Sequence, residues 1–70
     1  MANSHTKFVE VNEQDHTIRI VEKDRRGRIF GKSEFLQFNS SVDTMKLALT
    51  MQGYKFHHGT ELIHVFEEVV

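Results

Sequence analysis

The chain has 70 residues, 39% of them hydrophobic, no cysteine, and a formal net charge of −1. This length allows one domain, and the lack of cysteine excludes disulfides, thiolate metal sites and cysteine nucleophiles. No apolar run resembles a signal peptide or a membrane span, which favours a cytoplasmic location. We expect a single domain over residues 1–70, with residues 1–5 as a flexible N-terminus. Its stability should be modest, and a homodimer would increase it.

Charge is distributed unevenly along the chain. The stretch 19–32 contains six cations and two acids, a net charge of +4, whereas the other residues contain three lysines and eight acids, a net charge of −5. The six cations are Arg19, Lys23, Arg25, Arg26, Arg28 and Lys32. Such a cationic stretch is a candidate contact for an anionic partner.

The first half of the chain is typical of antiparallel strands. Weak alternation over residues 6–12 and a β-branched run within 16–23 flank four polar residues, which predicts a hairpin. The next turn lies at 23–28, where Gly27 can take a positive φ. Residues 28–38 allow two interpretations: one long strand with a bulge at Gly31, which we prefer, or a tight hairpin of two short strands.

A helix is predicted over residues 41–52. Ser40 or Ser41 can cap its N-terminus, and Asp43 suits the positive end of the helix dipole. Gly53 is placed to end it in the left-handed conformation. The apolar stripe comprises Val42, Met45, Ala48, Leu49 and Gln52, widened by Leu47 and Met51.

The final hairpin is predicted to turn at Gly59-Thr60 as a two-residue type II′ loop. This register pairs Phe56 with Ile63, so that Tyr54, Phe56, Ile63 and Val65 form a core face. The opposite face then carries Lys55, His57, Leu62, His64 and Phe66. The fold class is therefore α+β: one helix on a four- to five-stranded antiparallel sheet, in the order β-β-β(-β)-α-β-β.

Five histidines raise the question of a metal site. His57 and His58 are strand neighbours, so they should point to opposite faces. His57 and His64 are diagonal neighbours in the predicted register and could share a zinc ion, but no third ligand is within reach in the hairpin. We therefore expect no metal and no cofactor. The cluster of Lys55, His57 and His64 could still respond to pH.

Catalysis finds little support. The serines have no nearby base, and Glu67 and Glu68 point to opposite faces of a strand, so we expect no enzymatic activity. The arginines around Gly27 could bind phosphates of RNA or DNA, with Phe8, Phe30, Phe35 and Phe38 as candidate stacking platforms.

One helix can cover only one side of the sheet. Apolar groups on the other side, Leu62 and Phe66 among them, would be exposed unless lysine and arginine stems cover them. The favoured prediction is a non-enzymatic protein-binding module, regulatory or inhibitor-like and possibly homodimeric. The candidate contacts are Leu62, Phe66, His57, His64 and Lys55. Nucleic-acid binding by the basic turn is the alternative, and neither a membrane nor a small-molecule substrate is expected.

Overall fold

A computed structural model describes residues 5–69 of the chain. It contains six strands and one helix: β1 (His5–Asn12), β2 (Thr17–Asp24), β3 (Ile29–Lys32), β4 (Leu36–Gln37), α1 (Val42–Met51), β5 (Tyr54–Gly59) and β6 (Ile63–Glu68). The α+β class and the order of elements are confirmed. The predicted flexible N-terminus lies outside the described residues except for His5, which pairs with Asp24 as the first residue of β1. No helix in the described part of the chain is long and apolar enough to cross a membrane.

The six strands occupy five positions in one antiparallel sheet. Their order is β3-β2-β1-β6-β5, and β4 pairs with β2 farther along the same edge as β3. The predicted hairpin of β1 and β2 forms, but its loop is 13–16, one residue later than the polar run 12–15 indicated, because Asn12 pairs with Thr17. Because β1 lies at the centre and pairs with both β2 and β6, its side chains set which residues share each face.

The ambiguous stretch 28–38 is closer to the bulged strand than to the hairpin. Both β3 and β4 pair with β2 and not with each other. The extra residue is Phe30 and not Gly31, because Lys23 faces Ile29 while Glu22 faces Gly31. The predicted position of the bulge was wrong by one residue.

Helix α1 begins and ends where local signals placed it. The Ser41 hydroxyl accepts a hydrogen bond from the Thr44 N–H at 3.2 Å, and Gly53 has a φ of 93° just past the C-terminus. Leu49 packs with Phe38 over Val9, Val11 and Phe66.

The apolar stripe of the helix is narrower than predicted. Leu47 and Met51 are exposed, because they lie on the side of the helix opposite to the buried Leu49.

The last hairpin turns two residues later than predicted. The Thr60 N–H donates to the Ile63 carbonyl at 2.8 Å, and the Thr60 hydroxyl accepts from the Ile63 N–H at 3.3 Å, so Glu61 and Leu62 form the loop. Gly59 lies in the strand without a positive φ. A Cβ there would come within 2.6 Å of the Ile63 carbonyl oxygen, so close backbone approach and not a turn favours this glycine.

Phe66 lies in the core, on the face of the sheet that packs with Leu49 of the helix. Gly59 faces His64, and a bulge at His57 then places Phe56 opposite Phe66. On the other side of β6, Val9 of β1 faces Phe66. Phe66 is only 3% exposed, so its predicted place on a free face was wrong.

Candidate functional site

The sheet has two faces of different construction, which we call the covered face and the open face. The covered face lies under α1 and contains Val9, Val11 and Phe66. Strand alternation places Phe8, Val21 and Val65 on the open face. All three are buried, although no helix lies over them.

Long polar side chains cover the open face. The Lys23 ammonium nitrogen lies 4.8 Å from the centroid of the Phe8 ring, and the His57 ring meets the same ring edge-on at 5.5 Å. The stems of such residues pack on apolar groups while their charged ends stay in water. Phe8, on the face that was expected to be exposed, is thus covered in part by Lys23 and His57.

The strand register gathers three predicted nucleic-acid contacts on this face. Arg19 and Lys23 alternate with Val21 along β2, and Lys32 of β3 faces Val21 directly. The turn at residues 24–28 continues from the same two strands. Lys23 and Lys32 therefore lie on the open face next to the arginine-rich turn, whereas Arg19 lies farther along β2, two residues from the start of that strand at Thr17.

The arginine turn, defined as residues 24–28, is built around Asp24. Its carboxylate oxygen Oδ1 accepts from the N–H groups of Arg26 and Arg28, each at 2.9 Å. Gly27 has the predicted positive φ of 83° and donates its N–H to the Asp24 carbonyl at 3.0 Å. The one acid in the turn is thus held by backbone groups.

The three guanidinium groups of the turn remain available. Arg25, Arg26 and Arg28 are exposed, and none of them takes part in an ion pair among residues 5–69. Together with Asp24 they line an open cavity of about 350 Å³. Guanidinium groups are fork-shaped donors suited to phosphate, so an anionic ligand fits this cavity.

Arg19 differs from the other five cations because it is neutralised. Its Nη2 and Nε atoms donate to Glu10 Oε1 at 2.6 and 3.1 Å. Its guanidinium carbon also lies 4.6 Å from the centroid of the Phe35 ring. Phe35 was among the predicted stacking platforms, whereas Glu10 was absent from the predicted site. The observed register of β1 and β2 places Glu10 opposite Arg19.

Only two of the four candidate stacking residues are accessible. Phe8 and Phe38 are buried, whereas Phe30 and Phe35 are 54% and 58% exposed. The Phe30 ring contacts the His5 ring at 5.0 Å, and the Phe35 ring lies against Arg19 of the open face.

The candidate protein contacts do not form one surface. Phe66 is in the core, and His64 pairs with Val11 on the covered face. Leu62 lies in the β5–β6 loop, while Lys55 pairs with Glu67 on the open face. A two-residue shift of the turn keeps each side chain on its face, so the bulge at His57 is what separates residues that the predicted register had grouped.

The histidine geometry also differs from prediction. His57 lies against Phe8 on the open face, so it cannot share an ion with His64 on the covered face. The bulge at His57 instead places its Nδ1 atom 2.6 Å from Nδ1 of His58, contrary to the expectation that the two point apart. Within residues 5–69, no group of three acidic or histidine side chains is arranged to hold a metal ion.

The opposite end of the molecule is acidic. The Glu13 N–H donates to the Leu62 carbonyl at 2.8 Å, which joins the β1–β2 and β5–β6 turns and brings Glu13, Asp15 and Glu61 to one end. Glu13 Oε2 lies 2.8 Å from Nε2 of His64, and this hydrogen bond holds the pKa of Glu13 below its ordinary value of 4.5. The molecule is elongated, 37 × 22 × 19 Å, with unlike charge at its two ends.

Comparison with known proteins adds no functional information. No family model matches the chain, and neither the curated proteins nor the solved structures include a significant match. The function must therefore be argued from the geometry alone.

Proposed function

We propose that this protein is a small, non-enzymatic module that binds nucleic acid through its arginine turn and the adjoining β2–β3 part of the open face, at the opposite sheet edge from Lys55 of β5. The observation that carries the proposal is that the β2–β3 hairpin and its turn hold five cations, each without an ion-pair partner in the described part of the chain: Lys23, Arg25, Arg26, Arg28 and Lys32. The phosphates of a nucleic-acid backbone suit such a surface, and Lys and Arg contacts to them supply most non-specific affinity.

The charge separation supports the same proposal despite a net charge of −1. A polyanion approaching the acidic end, with Glu13, Asp15 and Glu61, is repelled, whereas the arginine end attracts it. The protein would therefore bind in one orientation. We also propose that the protein is located in the cytoplasm.

The test compares two triple variants with the same change in net charge. Arg25→Gln, Arg26→Gln and Arg28→Gln remove the turn cations, and Lys7→Gln, Lys46→Gln and Lys55→Gln remove the three cations outside residues 19–32. Fluorescence anisotropy with labelled RNA and DNA, at salt concentrations between about 50 and 200 mM, gives affinity and salt slope.

We expect the arginine variant to bind at least about tenfold more weakly and to lose up to about three units of salt slope. The lysine variant should stay within a few-fold of the wild type. Equal weakening by both variants, or no binding by the wild type, would reject the proposal.

A second candidate function is protein binding, including self-association, as a regulatory or inhibitor-like module. It is favoured by Leu47 and Met51, which lie one helical turn apart on the outer side of α1 and are 60% and 79% exposed. Exposed apolar pairs of this kind are typical of helix-mediated contacts between chains.

Sedimentation equilibrium tests the homodimer directly. A dimer through α1 predicts that the mean mass rises above 8.2 kDa with concentration, and that Leu47→Gln with Met51→Gln abolishes the rise. A mass that stays at 8.2 kDa at every concentration would remove the homodimer.

A further inference from the structure

We infer that the nucleic acid bound by this protein is single-stranded and that Phe35 is a stacking platform for one of its bases. The inference rests on the proposed function and specifies its ligand. Three side chains supply the geometry behind it: Glu10 is hydrogen-bonded to Arg19, and the guanidinium group of Arg19 lies against the ring of Phe35.

The first two side chains hold the third. Glu10 Oε1 accepts from both Nε and Nη2 of Arg19, which fixes the plane of the guanidinium group. The Phe35 ring rests on that group at 4.6 Å, within the range of a cation–π contact. One side of the ring is thus supported, while Phe35 remains 58% exposed.

The backbone on either side of Phe35 is also anchored. The Ser33 N–H donates to the Ile20 carbonyl at 2.8 Å, and the Ser33 hydroxyl accepts from the Ile20 N–H at 2.8 Å. Leu36, the next residue along, pairs with Ile18. Because the backbone is anchored on both sides of Phe35, little conformational freedom of this loop is lost when a flat ligand covers the ring.

The position of the ring relates it to the cations. Phe35 and the arginine turn lie on the same edge of the sheet, and Lys32 is between them in β3. Arg28 and Phe35 are seven residues apart, at most about 24 Å at the rise of a strand. A chain of nucleotides can therefore place phosphates on the turn and on Lys32 while one base reaches Phe35.

The exposed ring of Phe35 favours single-stranded over double-stranded nucleic acid. In a duplex both flat sides of each base are covered by its neighbours, whereas an unpaired base has a free side for an aromatic ring. Phe30 does not offer the same support, since its ring contacts His5 and not the guanidinium of Arg19. Phe30 is exposed to a similar extent and therefore serves as a matched control.

Affinity is measured for a single-stranded oligonucleotide and for the duplex of the same sequence, using the wild-type protein, Phe35→Leu and Phe30→Leu. We expect the single strand to bind more tightly than the duplex. Phe35→Leu should weaken single-strand binding about tenfold without changing the salt slope, because stacking releases no counterions. Phe30→Leu should bind as the wild type does.

A direct signal comes from tryptophan, which the natural chain lacks. The Phe35→Trp variant should keep its affinity, and its fluorescence should be quenched when the single strand binds. The Phe30→Trp variant should show little quenching.

The outcomes separate the two proposals. Equal affinity for single strand and duplex, or unchanged binding by Phe35→Leu, would overturn the single-strand inference while arginine-dependent binding kept the proposed function. Absence of binding to either nucleic acid would overturn both.

Discussion

The two faces of the sheet are buried to similar depth by different chemistry. On the covered face, Leu49 and Phe38 pack on Val9, Val11 and Phe66, so that apolar groups bury apolar groups. On the open face, the cover of Phe8 includes Lys23 and His57. The comparison shows how a sheet with a single helix can bury both sides.

The open face also links stability to charge. A lysine or arginine that covers an apolar group with its stem leaves its charged end in water. Lys23 therefore both covers Phe8 and adds a cation to the open face, which also carries the acids Glu10 and Glu67. A helix on both faces would have buried the apolar groups equally well, but would have left no such surface.

Truncation of the covered face should have the largest effect on stability. Phe66→Ala removes a ring that is 3% exposed, and we expect the free energy of unfolding in urea to fall by about 3–5 kcal/mol. Phe56→Ala is the control on the same face, since Phe56 is exposed and meets Phe66 edge-to-face at 5.8 Å. It should cost about 1 kcal/mol. Similar losses for both would contradict the corrected register.

A matched pair of valines tests whether the open face is packed. Val11 on the covered face and Val21 on the open face are both 0% exposed. Val11→Ala and Val21→Ala should each lower the free energy of unfolding by about 2 kcal/mol. If Val21→Ala had almost no effect while Val11→Ala did, the polar cover would not be excluding water.

Two substitutions of Lys23 separate the effect of its aliphatic stem on stability from the effect of its charge. Lys23→Ala removes both the stem over Phe8 and the cation, and should cost about 1 kcal/mol in urea unfolding. Lys23→Met keeps an apolar stem and should recover most of that loss. Equal losses in the two variants would assign the effect to the charge alone.

The smallest effect is expected from the acidic end, as a function of pH. The pKa of Glu13 is lowered in the folded state by its hydrogen bond with His64. A lowered carboxyl pKa stabilises the fold above the unfolded value, near 4.5, and this contribution is lost as pH falls through the folded value. The stability difference between wild type and Glu13→Gln should therefore shrink across that acidic range.

Glu61→Gln is the control for this titration, because Glu61 lies at the same end without an ion pair among the described residues. The difference between wild type and this variant should not follow the same course with pH. A Glu13→Gln difference that stayed constant from neutral pH to below the folded pKa would contradict the role of His64.

The sequence by itself determined the elements whose signals are local. Ser41 and Gly53 bound the helix because capping involves only neighbouring N–H and C=O groups, and Gly27 marks a turn because its φ is positive. The existence of the β1–β2 hairpin follows from alternation and a short polar loop, whereas its register, which pairs Glu10 with Arg19, was not predicted. The cationic stretch 19–32 could also be recognised from the positions of the charged residues in the sequence.

Only the tertiary structure decided which residues share a face. The β1–β6 pairing joins residues more than fifty positions apart. It places Phe66 beside Val9 in the core, whereas the sequence had indicated the opposite face of β6 as the core face. The bulges at Phe30 and His57 shift registers in a way that no local pattern reports. Side chains alternate with a period of two, so one extra residue in a strand moves every following side chain to the other face. The contact of Phe35 with Arg19, and with it the proposed base platform, depends on that same register.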